Sequence, residues 1–298
     1  MAPTAPVKAD RVRTALLCAL GCGLFAVANA CAKAALTVLP GPELHPLQIT
    51  AARFLFGALA LLPFILRAGP NVLRSAVPLR HVQRIAFGLG GVTSMFFAVQ
   101  AIPLADATAI GRTAPLFTLL FAGLLMKEGS GGMRWLAAGI GFAGVVVIMQ
   151  PTVATFNLAN LIPILAAFCT GAEVATIRIL ALRDKALTIL ALNNAGGAAI
   201  ACLAATFIFV TPSWQQGLAL VGVGVAMVSG QALIVRAFAV SEASVIAPFY
   251  YTTIAWAALI GIVFFGEPIT AALFLGGSLI ALGGVIVAMR GPGENRAR

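Results

Sequence analysis

LADATAIGRTAPLFTLLFAGLLMKE, residues 104–128, is apolar enough to cross a bilayer, yet it carries Arg112 and Pro115 inside it. Laid over ASVIAPFYYTTIAWAALIGIVFFGE, residues 243–267, it aligns without a gap at an offset of 139 residues. Glu128 falls on Glu267 and Arg112 on Tyr251. The segment that follows keeps the offset, with Gly144 on Gly283. The chain repeats itself, and the repeat dictates how its halves are arranged.

Composition places both copies in a membrane. Of 298 residues, 61% are hydrophobic and only 9% charged, against about 25% charged in a soluble domain. An apolar run of about 20 residues crosses a bilayer as a helix of roughly 30 Å. Ten such spans are expected, at 14–39, 47–67, 81–102, 104–126, 134–150, 158–182, 187–210, 214–238, 243–265 and 270–289. Turn residues separate them: Pro40-Gly41-Pro42, Gly69-Pro70-Asn71, Gly129 to Gly132, Pro151, Pro212 and Pro268. Lys8, Arg11 and Arg13 precede an apolar run ending near Ala28-Asn29-Ala30, much like a signal peptide. That run is about 25 residues, longer than a signal core, and reads as a retained first helix.

The net charge of +10 would suggest nucleic acid in a soluble chain. Here the positive charge sorts by loop instead, and no nucleic-acid partner is expected. Lys8, Arg11, Arg13, Arg67, Arg74, Arg80, Arg84, Lys127, Arg134, Arg183, Lys185, Arg290, Arg296 and Arg298 all fall on the side of the termini. The opposite loops hold no Lys or Arg. The positive-inside rule predicts a multi-pass protein of the cytoplasmic (inner) membrane with both termini cytoplasmic.

The predicted fold class is an all-α polytopic membrane protein of two inverted five-helix repeats. Residues 1–13 form an N-terminal tail, 14–151 the first repeat, 152–290 the second, and 291–298 a C-terminal tail. Five spans is an odd number, so the second copy inserts upside down. Inverted repeats of this kind build many secondary transporters, with the substrate site near midplane between the halves.

PLQITAARFLFGALALLP (46–63), AIPLADATAIGRTAPLFTLLFAGLLMKE (101–128), WLAAGIGFAGVVVIMQP (135–151) and residues 243–267 resemble the drug/metabolite transporter superfamily, in its EamA-type ten-helix branch. The resemblance covers nearly the whole chain. It implies an alternating-access carrier whose cavity is lined mainly by helices 1, 3, 4, 6, 8 and 9. Arg112 departs from the family, which mostly has an uncharged residue there.

An ionisable group near midplane costs about 2.5–3.5 kcal/mol on insertion scales and normally faces a cavity or a partner. Arg112 lies about 12 Å from the outer surface, and Lys33 and Arg53 about 9 Å. A cationic outer vestibule for a carboxylate or phosphate is one reading of the three. For Arg53 the competing reading is a side chain that snorkels to the interface or pairs structurally. Glu173 is the acid well inside a span, so it is the proton-coupling candidate; pairing with Arg178 or another helix is the alternative. Asn29 belongs to a stripe of Cys22, Ala26, Asn29 and Lys33 at helical spacing. Helix 9 opens with Pro248 and offers Tyr250, Tyr251 and Trp256 as aromatic surface for the cargo. Ser94 and Gln231 are weaker polar candidates.

Other chemistry finds no support. The five cysteines lie in apolar segments, and the two histidines, His45 and His81, fall in or beside loops. No HExxH, acidic metal pair or Ser/His/Asp set is evident, so no cofactor, metal site or catalytic residue is expected. GIGFAG (139–144) fits a dinucleotide motif, but no strand precedes it and it lies inside an apolar span; close helix packing explains it. The expected function is secondary transport of a small organic metabolite by alternating access. The cargo is carboxylate-bearing or otherwise anionic or zwitterionic, and protons are the candidate coupling ion. Amino-acid-, vitamin- and nucleoside-like cargoes, import and export, monomer and homodimer all fit. The alternative is an integral membrane enzyme or receptor.

Overall fold

Prolines and glycines between the spans set where helices begin and end. In a computed structural model the described residues are 8–114, 116–118, 121, 132–149, 158–181, 183–240 and 251–289. They contain ten α-helices, here α1 (Lys8–Thr37), α2 (Pro46–Ala68), α3 (Pro78–Ala101), α4 (Leu104–Gly111), α5 (Gly132–Met149), α6 (Ile162–Ala181), α7 (Ala186–Ala205), α8 (Trp214–Val240), α9 (Thr252–Phe265) and α10 (Ala271–Met289). Pro46 and Pro78 occupy first-turn positions, where a missing N–H costs nothing. His45 caps α2, its Nδ1 accepting the Leu47 N–H at 3.1 Å.

This is a multi-pass membrane protein. Five of the helices are long and apolar enough to cross a bilayer, and shorter apolar helices accompany them. Large apolar side chains such as Leu66, Phe207 and Phe264 are exposed on the helices and their ends, and lipid is the solvent that suits them.

Two boundaries differ from expectation. The first helix starts at Lys8 rather than residue 14. The fourth span is not one helix: regular α4 ends at Gly111, and Arg112 and Thr113 form a turn before helical residues resume at Ala114. Pro115 itself lies outside the described residues.

Helix pairing carries the inverted repeat. Helix α1 packs on α8, and α3 packs on α6; exchanging the halves turns one pair into the other. Helix α2 packs on its own mate α7, and α5 on its own mate α10. Such a pattern follows from a pseudo-two-fold axis between the halves. Where α5 crosses α10, a Cβ on Gly144 would come 2.5 Å from the Gly276 carbonyl oxygen. The glycines let two backbones touch, as expected for GIGFAG.

The loops repeat the symmetry in hydrogen bonds. On the far face, opposite the start of α1, the α1–α2 loop is tied to the start of α8. Ser213 Oγ donates to the Pro40 carbonyl at 2.6 Å, and Gln216 Nε2 to the Pro42 carbonyl at 2.9 Å. Gly41, at φ +148°, has no room for a Cβ beside the Gln216 amide. On the near face the α6–α7 loop is tied to the start of α3: Ser75 Oγ donates to Asp184 Oδ2 at 2.5 Å, and His81 Nε2 lies 2.8 Å from the same oxygen.

Candidate functional site

Arg112 sits at the break in α4, half-buried, among the described residues without an ion pair. Its repeat mate Tyr251 precedes α9, also half-buried, and packs against the cluster that contains Ile110, two residues before Arg112. Residues exchanged by a two-fold axis approach each other only beside that axis. The pair therefore marks the junction of the two halves. Tyr251 packs on the cluster of Ile110, Val145 and Ile280, and it borders an open apolar groove with Ile254, Ala258 and Leu273.

Lys33 is spoken for. Its Nζ lies 2.5 Å from Glu267 Oε1 and donates to the Ile102 carbonyl at 3.0 Å. Glu267 also accepts the Leu104 N–H, at 2.9 Å, so one carboxylate neutralises Lys33 and caps α4. Gly266 puts it there. At φ +65° Gly266 ends α9 in the left-handed conformation, and the Glu267 N–H turns back to the Gly261 carbonyl at 3.0 Å.

The three cations expected to share one vestibule are not gathered. Lys33 is paired with Glu267, Arg112 lies at the α4 break near the Ile110 cluster, and Arg53 is buried in α2. Arg53 does not snorkel: it is buried, 4% exposed, and Nε and Nη1 have no hydrogen-bond partner. Glu173 pairs with Arg84, Nε to Oε1 at 3.6 Å, rather than standing alone as the acid of its span. Arg84, assigned by sequence to the loop charge, is buried inside α3 and donates to the Ile189 carbonyl at 2.5 Å. Residues 78–83 of α3 precede it, so it lies within the helix and not in the loop.

The remaining candidates divide. Asn29 and Ser94 are buried, and Gln231 keeps an unpartnered Oε1. Trp256 instead joins helices: its Nε1 donates to the Ala19 carbonyl at 3.0 Å and its ring lies over Gly23 of α1. Tyr250 and Pro248 lie outside the described residues.

Sequence reading missed Asn193 and Asn194. Both are buried in α7, with both polar atoms of Asn193 and Oδ1 of Asn194 unpartnered. Two adjacent amides in an apolar span carry a desolvation cost, and that was the available signal. It also missed the meeting of Ser75, His81 and Asp184. Their order is wrong for nucleophilic catalysis, which needs the imidazole between serine and acid. Here Ser75 and His81 both converge on Asp184. Hydrogen bonds from Ser75, His81 and the Ala76 amide outweigh the effect of burial and hold that carboxyl below its ordinary value.

Known proteins resemble this chain as follows. The model of the EamA-like transporter family matches residues 12–150. A riboflavin transporter of Rhizobium johnstonii is 32% identical over 76% of this chain and 75% of its own. An S-adenosylmethionine uptake transporter of Rickettsia prowazekii is 28% identical over 76% and 77%. The pseudopaline exporter CntI of Pseudomonas aeruginosa is 29% identical over 90% and 93%. A solved crystal structure at 23% identity covers 91% of this chain and 95% of its own with a TM-score of 0.61, a likeness of fold.

Proposed function

This chain belongs to the EamA-like transporter family, within the drug/metabolite transporter superfamily, and we propose that it is a secondary active carrier of a small metabolite bearing a carboxylate or other anionic group. The observation that carries the anionic preference is Arg112: a half-buried cation at a helix break, two residues from the Ile110 cluster on which Tyr251 packs. An unwound segment at the repeat interface is where carriers of this architecture bind substrate. The guanidinium binds the acid and the Tyr251 ring packs the body. Asn29, Ser94 and Gln231 supply hydrogen bonds, and Tyr250 adds aromatic surface. Lys33 and Trp256 act by holding helices together.

The cycle rocks residues 14–151 against 152–290. Glu173 is the proton-coupling group, taking a proton when Arg84 leaves it. The sorting of lysine and arginine by loop supports a cytoplasmic membrane with both termini inside. The relatives are named for S-adenosylmethionine uptake, riboflavin transport and pseudopaline export, so both uptake and export are among them. That range supports a small metabolite as cargo and a direction set by gradients.

Uptake of a metabolite panel into proteoliposomes tests the reading. Anionic members should be accumulated, and Arg112→Gln should raise their KM by about tenfold or more, the worth of one charge-assisted contact. Unchanged uptake of an anionic cargo by Arg112→Gln rejects the assignment.

A further inference from the structure

A second cationic centre lies away from Arg112, inside the packing of α2, α3, α6 and α7. Arg53 of α2 and Arg84 of α3 are 4% and 3% exposed. Glu173 of α6 is the acid whose charge acts on both. Asn193 and Asn194 of α7 are 1% and 0% exposed. Gly88 joins them: a Cβ there would lie 3.4 Å from the Glu173 carboxylate and 3.6 Å from Asn193 Oδ1. Gly57, one turn from Arg53, faces Asn194 Oδ1 in the same way.

This centre is incomplete as it stands. Glu173 lies in ion-pair range of Arg84, and Arg53 has no ion pair among the described residues, so the cluster holds one excess positive charge. Arg53 Nε and Nη1, Arg84 Nε, both polar atoms of Asn193 and Oδ1 of Asn194 have no hydrogen-bond partner. Asn194 Nδ2 is occupied by the Leu190 carbonyl at 2.9 Å, and Arg84 Nη1 by Ile189. Buried polar groups are almost always partnered, and an unpaired buried charge is strongly destabilising. Three unpartnered donors, Arg53 Nε and Nη1 and Asn193 Nδ2, beside one excess charge describe an anion receptor rather than a structural salt bridge. A structural bridge would also close tighter than the 3.6 Å between Arg84 and Glu173.

We propose that Arg53 and Arg84, with the Asn193 amide, form a second intramembrane site, distinct from the one at Arg112, for a small monocarboxylate, and that Glu173 is the resident counter-charge it competes with. The site rests on the transporter reading above. It draws on α2 and α7, outside the helices that the family resemblance assigns to the cavity. A monoanion neutralises the excess charge, gives Arg53 the acceptors it lacks and receives the Asn193 amide. A dianion leaves the cluster net negative beside Glu173. A free halide satisfies the charge as well as a carboxylate does, so the two sources must be separated.

Acetate and chloride titrated onto the purified full-length protein, read as the thermal unfolding midpoint, make the test. Acetate should raise the midpoint saturably. Arg53→Gln and Arg84→Gln should weaken that response by about tenfold or more. Glu173→Gln should strengthen it, because it removes the competitor; a merely structural Glu173 predicts no gain. If the arginine variants do not fold, Arg53→Lys and Glu173→Gln decide. No saturable acetate response in wild type and Glu173→Gln overturns the site, as does a weaker response in Glu173→Gln. A response to chloride without acetate overturns the carboxylate assignment. Cargo accumulation by wild-type vesicles is scored separately, so the site can fail while the transporter reading stands.

Discussion

Lys33 of α1 and Glu267, just beyond α9, form an ion pair of 2.5 Å whose acid also accepts the first amide of α4. Three helices of both halves thus meet at one carboxylate on the far face. Both side chains are nearly buried, at 12% and 13% exposure, so the pair is a joint between halves rather than a surface ornament. Asp106 adds a second acid within electrostatic reach of both partners.

Breaking one side of that joint should cost more than removing both. Glu267→Gln or Lys33→Met strands a charge, a loss of about 3–5 kcal/mol for a buried pair. The double variant should recover part of it and retain the cap loss on α4, about 1 kcal/mol. Thermal unfolding of the four proteins in detergent measures the coupling. Additive losses would show that the two residues do not act as a pair.

Tyr251 should act through its ring. Tyr251→Phe should keep cargo KM within about threefold, whereas Tyr251→Ala should raise it about tenfold, since an aromatic contact is worth roughly 0.5–1.5 kcal/mol beyond area. Vesicle uptake with the best cargo of the panel makes the comparison. A large defect in the phenylalanine variant would shift the role to the hydroxyl.

The Asp184 staple should depend on pH in one direction. Its folded carboxyl lies below its ordinary value, so its stabilisation is present above the unfolded value and is lost as pH falls through the folded one. The gap in unfolding midpoint between wild type and Asp184→Asn should persist down to about pH 4, the ordinary aspartate range, and close below it. Facing groups are Ser75 and His81, so Ser75→Ala should remove part of the gap at neutral pH.

GIGFAG should tolerate change at one end and not the other. Gly139 has open space beside it, and Gly139→Ala should be neutral or stabilising by up to about 1 kcal/mol. Gly144→Val drives a branched side chain into the Gly276 backbone and should lower expression and the unfolding midpoint sharply. Equal behaviour of the two variants would contradict the close α5–α10 crossing.

Hydropathy and the 139-residue offset determined the class, the ten spans and the inverted repeat. Each of these is written locally: apolar run length sets the span, turn residues set its ends, and an odd span count sets the inversion. Only the tertiary structure decided which charges meet. Depth counted along a helix put Lys33, Arg53 and Arg112 at one level, but it carries no azimuth, and three helices turned different ways gave them three different neighbours. Nor does proximity to a loop reveal burial: Arg84, placed with the loop charges by position, is buried beside Glu173. The asymmetry has one physical cause. Partition into lipid is a sum over neighbouring residues, whereas an ion pair in a low-dielectric interior depends on a few ångströms between helices far apart in the chain.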